Sequence, residues 1–176
     1  MVESEIEKRS PLRQFVIILL SLLLVTILWL GATVAFPGAI TLFAGKRPTN
    51  LGVQAGKLAP CPSSPNCVSS QSQDAGHKIE PITYNSTPAE AMAQLKKVIE
   101  SQKRTKIIIE TPNYLYAEFT SRLMGFVDDV EFFLDEGQKV IHVRSASRLG
   151  ESDLGVNRNR IETIRNKFNE GVGRQG

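Results

Sequence analysis

Residues Phe15 to Phe36 form an unbroken apolar run that contains no charged side chain. As an α-helix the run would be roughly 33 Å long, enough to cross a bilayer hydrocarbon core of about 30 Å. The chain after it has the composition of a soluble protein. This contrast predicts a short charged tail at 1–14 and a single transmembrane anchor at 15–36. A linker rich in Gly and Pro at 37–60 and a soluble domain at 61–176 complete the predicted organisation.

A cleaved signal peptide is the alternative to a permanent anchor, because it also begins with positive charge and an apolar run. A small-residue cleavage site can be placed at Thr33–Ala35, so the alternative stays open. The apolar cores of signal peptides usually span about 7–15 residues. The longer run in this chain therefore favours retention as an anchor.

Basic residues flank the predicted span on both sides in nearly equal number. Lys8, Arg9 and Arg13 precede it, whereas Lys46 and Arg47 follow it. Because the basic residues on the amino side lie closer to the span, the positive-inside rule favours a cytosolic tail. The predicted location is therefore a single-pass membrane protein with its domain on the extracytoplasmic side.

The formal net charge of +3 comes mainly from the flanks of the apolar run. Residues 61–176 hold about 15 Lys and Arg against about 15 Asp and Glu, so the predicted domain is close to neutral. The domain also lacks a basic stripe with interleaved aromatic residues. We therefore expect no nucleic-acid partner.

The chain has two cysteines, Cys61 and Cys67, separated by a bent segment that contains two prolines and an asparagine. Outside the cytosol such a pair is expected to oxidise to a structural disulfide. Three alternatives stay open: free thiols, a redox-active pair, and a zinc site completed by His77 and His142. We expect no metal and no cofactor.

The pattern of apolar residues predicts an α+β domain in the order strand, helix, four strands, helix. Thr87 is the predicted N-cap of the first helix, with Pro88 at its first position and Glu90 completing a capping box. This architecture is typical of a two-layer domain, in which helices cover one face of a curved antiparallel sheet. The predicted strands are Ile79–Tyr84, Thr105–Thr111, Tyr114–Arg122, Phe126–Asp135 and Lys139–Ser147, and the final helix begins near Asn157.

Alternation along the last strands sorts charged side chains onto one sheet face. If Glu136-Gly137 is a two-residue turn, Asp129 lies opposite Arg144 and Glu131 lies opposite His142. Two interpretations stay open: a solvated face with cross-strand ion pairs, and a polar groove that binds a ligand or partner. The predicted polar face comprises Tyr116, Glu118, Arg122, Asp129, Glu131, His142, Arg144 and Arg148.

A dense polar stretch runs from Arg144 to Arg160 and leads into the final helix. Arginines near a helix start favour phosphate or carboxylate ligands, so Asn157 and Arg158 join the predicted binding residues. The alternative is that these arginines are neutralised inside the fold by Asp128, Asp129, Glu131 and Asp153. Asp128 lies on the apolar face and is expected to bond to the Ser145 hydroxyl or to an arginine.

Sequence motifs of known catalytic sites are missing from the chain, so no catalytic residue is predicted. An ordered set of motifs instead resembles a bacterial and plastid family known only as domain of unknown function 1499. The motifs are Pro60–Gln71, Gly125–Phe132, Arg144–Arg148 and Asp153–Arg158. The resemblance covers about residues 58–169. It implies a protein of the bacterial envelope or the thylakoid, and it brings no established activity.

Our sequence-based hypothesis is a membrane-anchored, non-enzymatic module on the periplasmic or thylakoid-lumenal side. It would bind a protein partner, such as a membrane-protein complex, or a small anionic ligand through the polar face and the arginine-rich loop. Two alternatives are a hydrolase that uses Asp129 or Glu131 with His142, and a redox protein that uses Cys61 and Cys67.

Overall fold

The computed structural model describes residues 10–35 and 43–173, with side chains described for 10–32 and 43–171. The chain divides into two compact units, Met1–Ile40 and Thr41–Gly176, which we describe separately. Most of the predicted charged tail and the first part of the predicted linker lie outside the described residues.

The first unit contains one helix, α1 (Pro11–Ala35). At 1.5 Å per residue α1 is about 37 Å long, and it contains nearly all of the predicted apolar run. Its segment Pro11–Ala32 has a mean hydropathy of 2.8 and no side chain buried against other parts of the chain. The helix is therefore long and apolar enough to span a membrane, as predicted.

The second unit is an α+β domain built on one antiparallel sheet, which confirms the predicted fold class. The strands are β1 (Cys67–Ser69), β2 (Ile82–Thr83), β3 (Thr105–Glu110), β4 (Tyr114–Thr120), β5 (Val127–Asp135) and β6 (Val140–Ser147), and the helices are α2 (Pro88–Glu100) and α3 (Val156–Gly173). The strands follow the order β1-β6-β5-β4-β3, and β2 pairs with β6 beside β1.

The two helices α2 and α3 cover one face of the sheet and form the main core with it. Leu95 of α2 and Ile164 of α3 are fully buried in the same cluster as Leu115, Phe132 and Ile141 of the sheet. The helices begin where the local sequence predicts. The Glu90 amide donates to the Thr87 hydroxyl and the Thr87 amide donates to the Glu90 carboxylate, which completes the predicted capping box.

The turn between β5 and β6 is two residues longer than predicted, so the predicted register is wrong. Asp135 pairs with Val140, and four residues form the turn. The Asp135 carboxylate accepts the Gln138 amide at 3.0 Å, and Lys139 takes a left-handed φ of 52°. A shift of two residues preserves the sheet face of every side chain, so the predicted face is correct although the partners differ.

Other element boundaries also differ from the predictions. The short edge strand β1 was not predicted, since three residues are too few to show alternation. β2 covers only part of the predicted Ile79–Tyr84 strand. β4 ends at Thr120, because Ser121 and Phe126 exchange hydrogen bonds that close the hairpin there.

Residues 43–58, which we call the covering segment, pack onto the sheet face opposite the helices. Leu58 is buried with Tyr114 and Tyr116, and Leu51 and Val53 pack against this cluster. The composition predicted a linker up to residue 60, but the compact unit includes this segment. Gly and Pro indicate a lack of regular structure, and an irregular segment can still pack against a sheet, as this one does through Leu51, Val53 and Leu58.

Candidate functional site

Most of the predicted polar face is buried, and the covering segment packs over its centre. Asp129 and Glu131 on β5 are 1% and 0% exposed, and Arg144 on β6 is 5% exposed. Observed pairing places Tyr116 opposite Glu131, Glu118 opposite Asp129 and Glu131 opposite Arg144. The interpretation as a solvated face is therefore wrong, because residues 43–58 exclude water from it.

Arg148 is the centre of the first ion-pair network on this face. Its Nε and Nη2 donate to the two oxygens of Asp129 at 2.9 and 2.7 Å, and Nη2 also donates to Glu118. The Tyr116 hydroxyl donates to Asp129 Oδ1 at 2.5 Å. The hydrogen bond to Asp129 raises the pKa of Arg148 above its ordinary value, although burial opposes this shift.

Arg47 brings the covering segment into this network. It donates to Glu118 Oε1 from Nε and Nη2 at 2.8 and 2.6 Å, and its guanidinium lies 5.8 Å from the centre of the Tyr116 ring. Burial raises the pKa of Glu118, but hydrogen bonds from Arg148 and Arg47 outweigh it and hold that pKa below the ordinary value. Two arginines thus share one carboxylate.

Glu131 is the centre of the second network. Its Oε1 accepts the Gly52 amide at 2.7 Å and the Tyr114 hydroxyl at 2.8 Å, and its Oε2 lies 3.2 Å from Arg144 Nη1. Burial, followed by the charge of Glu131, raises the pKa of Tyr114 and keeps its hydroxyl protonated. The Gly52 contact ties the backbone of the covering segment to a buried charge.

His142 stands apart from both networks. Its Nδ1 lies 3.2 Å from the Ser70 hydroxyl, its Nε2 lies 3.9 Å from Asp135, and its ring stacks on Phe133. Burial lowers its pKa, and Asp135 partly opposes this effect. The structure therefore does not bring His142 together with Asp129 and Glu131 in a hydrogen-bonded group.

The arginine-rich loop forms a separate network on the helix side of the sheet. The side-chain amide of Asn157 donates to the Asn66 carbonyl and the Ser147 hydroxyl, both at 2.9 Å. Arg160 pairs with Asp128, so the predicted arginine partner of Asp128 is present. Arg158 donates to backbone carbonyls of the loop that precedes β2, at 2.7 and 2.9 Å.

The predicted site residues therefore fall into two networks on the polar face and a third on the helix side, and His142 stands apart from them. Arg122 joins none of the three. It lies in the exposed turn after β4, and within the described residues it has no ion-pair partner. The sequence interpretation missed Arg47, Gly52 and Tyr114, which complete the polar face. The sequence carried no signal for Arg47, because the three carboxylates of the predicted face were already matched by three arginines, one of which was Arg122.

Cys61 and Cys67 form a disulfide with an S–S distance of 2.03 Å, as predicted. Because the bond uses both sulfurs, the alternative zinc site lacks its thiolates. The disulfide joins edge strand β1 to the chain that follows the covering segment. Cys67 is buried, whereas Cys61 lines an open cleft of about 690 Å³.

This cleft lies between the covering segment and the loop after β1. Gln71 fixes both walls, because its side-chain oxygen accepts the Leu58 amide at 2.8 Å and its nitrogen donates to the Gly56 carbonyl at 3.0 Å. His77 Nδ1 lies 2.9 Å from the Cys67 carbonyl. The cleft is lined by Asn50, Gln54, Lys57, Leu58, Ala59, Pro60, Cys61, Pro62, Ser63, Ser69, Gln71, Ser72, Gln73, Asp74 and His77.

The second unit is thus a small α+β domain. A disulfide ties down one edge of its sheet, and the charges on its polar face pair with one another. A family model matches residues 57–168, and it is described as a protein of unknown function (DUF1499). The chain therefore belongs to the DUF1499 family, which confirms the resemblance seen in its motifs. No curated protein matches the chain.

Proposed function

We propose that this protein is a membrane-tethered, non-catalytic module that holds a protein partner at the membrane surface. In this proposal α1 remains uncleaved as the anchor, and the domain lies on the extracytoplasmic side, periplasmic or thylakoid-lumenal. The Cys61–Cys67 disulfide supports this side, since disulfides persist in oxidising compartments and are rare in the cytosol.

The proposed recognition surface is the cleft beside the disulfide. The observation that carries this choice is the contrast between the cleft and the polar face. On the polar face the charges of Asp129, Glu131 and Arg148 are already satisfied and covered. The cleft is open, its volume lies in the range of about 300–1,000 Å³ typical of ligand sites, and Gln71 and the disulfide fix its walls.

The chemistry of the lining favours an extended segment of a partner protein. Side-chain amides and hydroxyls line much of the cleft, including those of Asn50, Gln54, Ser63 and Gln73. Such groups can both donate to and accept from the peptide backbone. Lys57 and His77 also line the cleft, and they are the groups that a small anionic ligand would contact.

Site-specific photo-cross-linking in native membranes tests this proposal. A photoreactive side chain at Gln54 or Gln73 should give one discrete protein adduct from the full-length chain. The same group at the exposed positions Gln138 and Lys167, outside the cleft, should not give that adduct. Identical adducts from all four positions, or none from the cleft, would overturn the protein-partner proposal. A cleft adduct of small mass would instead favour the anionic ligand.

The hydrolase alternative has less support from the geometry. Asp129 and Glu131 are held by arginines, and His142 is hydrogen-bonded to Ser70 in another part of the face. None of these three side chains lines the cleft beside the disulfide or either of two further clefts among the described residues.

The redox alternative depends on Cys61, because this cysteine lines the cleft. Disulfide exchange with a dithiol of known potential would test this alternative directly.

A further inference from the structure

Exposed apolar side chains gather at one end of the domain. Outside α1, six large apolar residues are exposed among those that the structure describes, and five of them lie at the end where β4 and β6 finish and β5 begins. The exception is Ile109 on edge strand β3. Four of the five, which we call the entry rim, are Phe43, Leu123, Leu149 and Leu154.

The rim residues come from three loops that meet at this end of the sheet. The Phe43 ring lies 5.2 Å from the ring of Phe126, which follows Leu123 in the β4–β5 turn. A Cβ placed at Gly45 would lie 3.1 Å from Leu149, so the covering segment and the loop after β6 are in close contact. The rim is therefore continuous from the covering segment to two neighbouring loops.

The Leu154 side chain is exposed to solvent, and its backbone conformation is strained. Its side chain is 92% exposed and its φ is 53°, a left-handed conformation that leucine rarely adopts. The loop is fixed on both sides of it, because Asp153 accepts the Gly155 and Asn157 amides at 3.0 and 2.6 Å. Strained backbone that is over-determined by its surroundings is often associated with a function.

Charge distinguishes this end of the domain from the opposite one. Lys46, Arg104 and Arg122 are exposed around the entry rim, where Glu151 is the exposed acidic residue. The turns at the opposite end carry Glu110, Asp135 and Glu136 against one exposed lysine, Lys139, and Glu110 pairs with Lys96. Exposed leucine and phenylalanine side chains flanked by Lys and Arg are typical of protein surfaces that enter the interface of an anionic bilayer.

The covalent chain limits how far Phe43 can lie from the end of α1. Phe43 lies eight residues after Ala35, the last residue of α1, and eight extended residues span at most about 28 Å. We propose that the entry rim inserts into the headgroup region of the bilayer in which α1 is anchored, so that the domain docks on the membrane by this end. The inference rests on the membrane anchoring proposed above.

Quenching by lipids with brominated acyl chains tests the rim and the anchor separately. The full-length chain is placed in nanodiscs of phosphatidylcholine and phosphatidylglycerol, and its single tryptophan, Trp29, reports on the anchor. Two variants with Trp29→Phe then carry Leu123→Trp or Leu149→Trp as rim reporters. A third variant, also with Trp29→Phe, carries Gln138→Trp in the β5–β6 turn at the opposite end of the sheet.

We expect quenching at Trp29 and at both rim reporters, and none in the Gln138→Trp variant. Quenching at Trp29 without quenching at either rim position would overturn rim docking and leave the anchor intact. Such a result would assign the rim to a protein partner absent from the nanodisc. Equal quenching at the rim reporters and at position 138 would also overturn rim docking. Unquenched Trp29 would overturn the anchor, and rim docking with it.

Substitutions at the rim supply a quantitative test. Arg122→Gln should lower the ratio of docked to undocked domain about fivefold in anionic nanodiscs, the factor that one basic residue contributes near such a surface. Leu154→Asn, introduced into the Leu123→Trp variant, should lower the ratio of docked to undocked domain about tenfold. This factor corresponds to the lower end of the free energy that burial of a leucine side chain contributes. Asparagine tolerates the left-handed backbone, so the urea midpoint of this variant should not fall. Unchanged docking in both variants would contradict the proposal.

Discussion

The two faces of the sheet are held by different interactions. The helix-covered face buries apolar residues such as Leu95, Phe132 and Ile164, and its stabilisation depends on the area removed from water. The face under the covering segment buries arginine–carboxylate pairs, whose net stabilisation depends on geometry and on every member being present. On the first face, the loss of stability should grow with the side-chain volume that is removed. On the second face, the loss of a single charged partner should strongly destabilise the domain.

The largest expected effect is that of Arg148→Ala on the polar face. This change leaves Asp129, 1% exposed, without its charged partner, and stranding a buried charge costs about 3–5 kcal/mol. Urea unfolding of the full chain in detergent micelles would measure the loss through near-ultraviolet circular dichroism. The signal reports on the domain because Tyr84, Tyr114 and Tyr116 are the chain's three tyrosines.

Two controls distinguish the charge effect from a loss of packing. Arg122→Ala removes an exposed arginine and should change the free energy of unfolding by no more than about 0.5 kcal/mol. Arg148→Met combined with Asp129→Leu removes both charges and should recover most of the loss, since no carboxylate is stranded. A double variant as unstable as Arg148→Ala would show that the stranded charge is not the cause.

On the helix-covered face, Leu95→Ala should cost about 2–5 kcal/mol, because it removes a fully buried side chain and leaves a cavity. The smaller change Ile164→Val should cost only about 0.5–1.5 kcal/mol. The loss on this face should therefore grow with the volume removed. Equal losses for both substitutions in the same urea titration would contradict the graded behaviour expected of this face.

Gly45→Ala tests how closely the covering segment approaches the sheet. Gly45 has a φ of 66°, and a Cβ there would lie 2.9 Å from Arg148 Cβ. We expect a loss of about 1–3 kcal/mol from backbone strain and the clash. Gly56→Ala is the matched control, since Gly56 has a φ of 75° but nothing within 4 Å of the added Cβ. A loss at Gly45 no larger than that at Gly56 would mean that the close approach is unimportant.

The smallest expected effect is a change in the pH dependence of stability in Glu118→Gln. The pKa of Glu118 is lowered in the folded protein, because the arginine hydrogen bonds outweigh burial. Its contribution is therefore present above the unfolded pKa of about 4.3 and is lost as the pH falls through the lower folded value.

Unfolding free energies measured across the acidic range would show this difference. Wild type should lose stability more steeply than Glu118→Gln below about pH 4.3. Glu90 and Asp135 also have lowered pKa values, but they are present in both proteins and cancel in the comparison. Parallel pH profiles would show that Glu118 is not charged against its arginines in the way the structure indicates.

The helix-covered face could be predicted from the sequence because its signals are local. Apolar periodicity defined α2 and the four long strands, and the Thr87–Glu90 capping box defined the start of α2. Apart from Arg122, which lies beyond the end of β4, the set of residues on each strand face was also correct, since alternation does not depend on the register. The register itself failed because one turn, at Asp135–Val140, is longer than its Glu-Gly sequence suggests.

The burial of the polar face could not be predicted in the same way. It depends on contacts between residues far apart in the chain, such as Gly52 with Glu131 and Arg47 with Glu118. A segment without periodicity carries no local signal for the surface that it covers. Charge balance gave no clue either, because the predicted face matched its three carboxylates with Arg122, Arg144 and Arg148, and only the structure places Arg122 outside it.

The contact between Gly52 and Glu131 has a practical consequence for anyone who expresses part of this protein. The family match begins at residue 57, which makes that position a natural choice for the start of a recombinant fragment. Such a fragment would lack the amide and the guanidinium that reach Glu131 and Glu118 from upstream. Fragments intended for crystallisation should therefore start at or before Phe43, even though the first fifteen or so residues lie outside the homologous region.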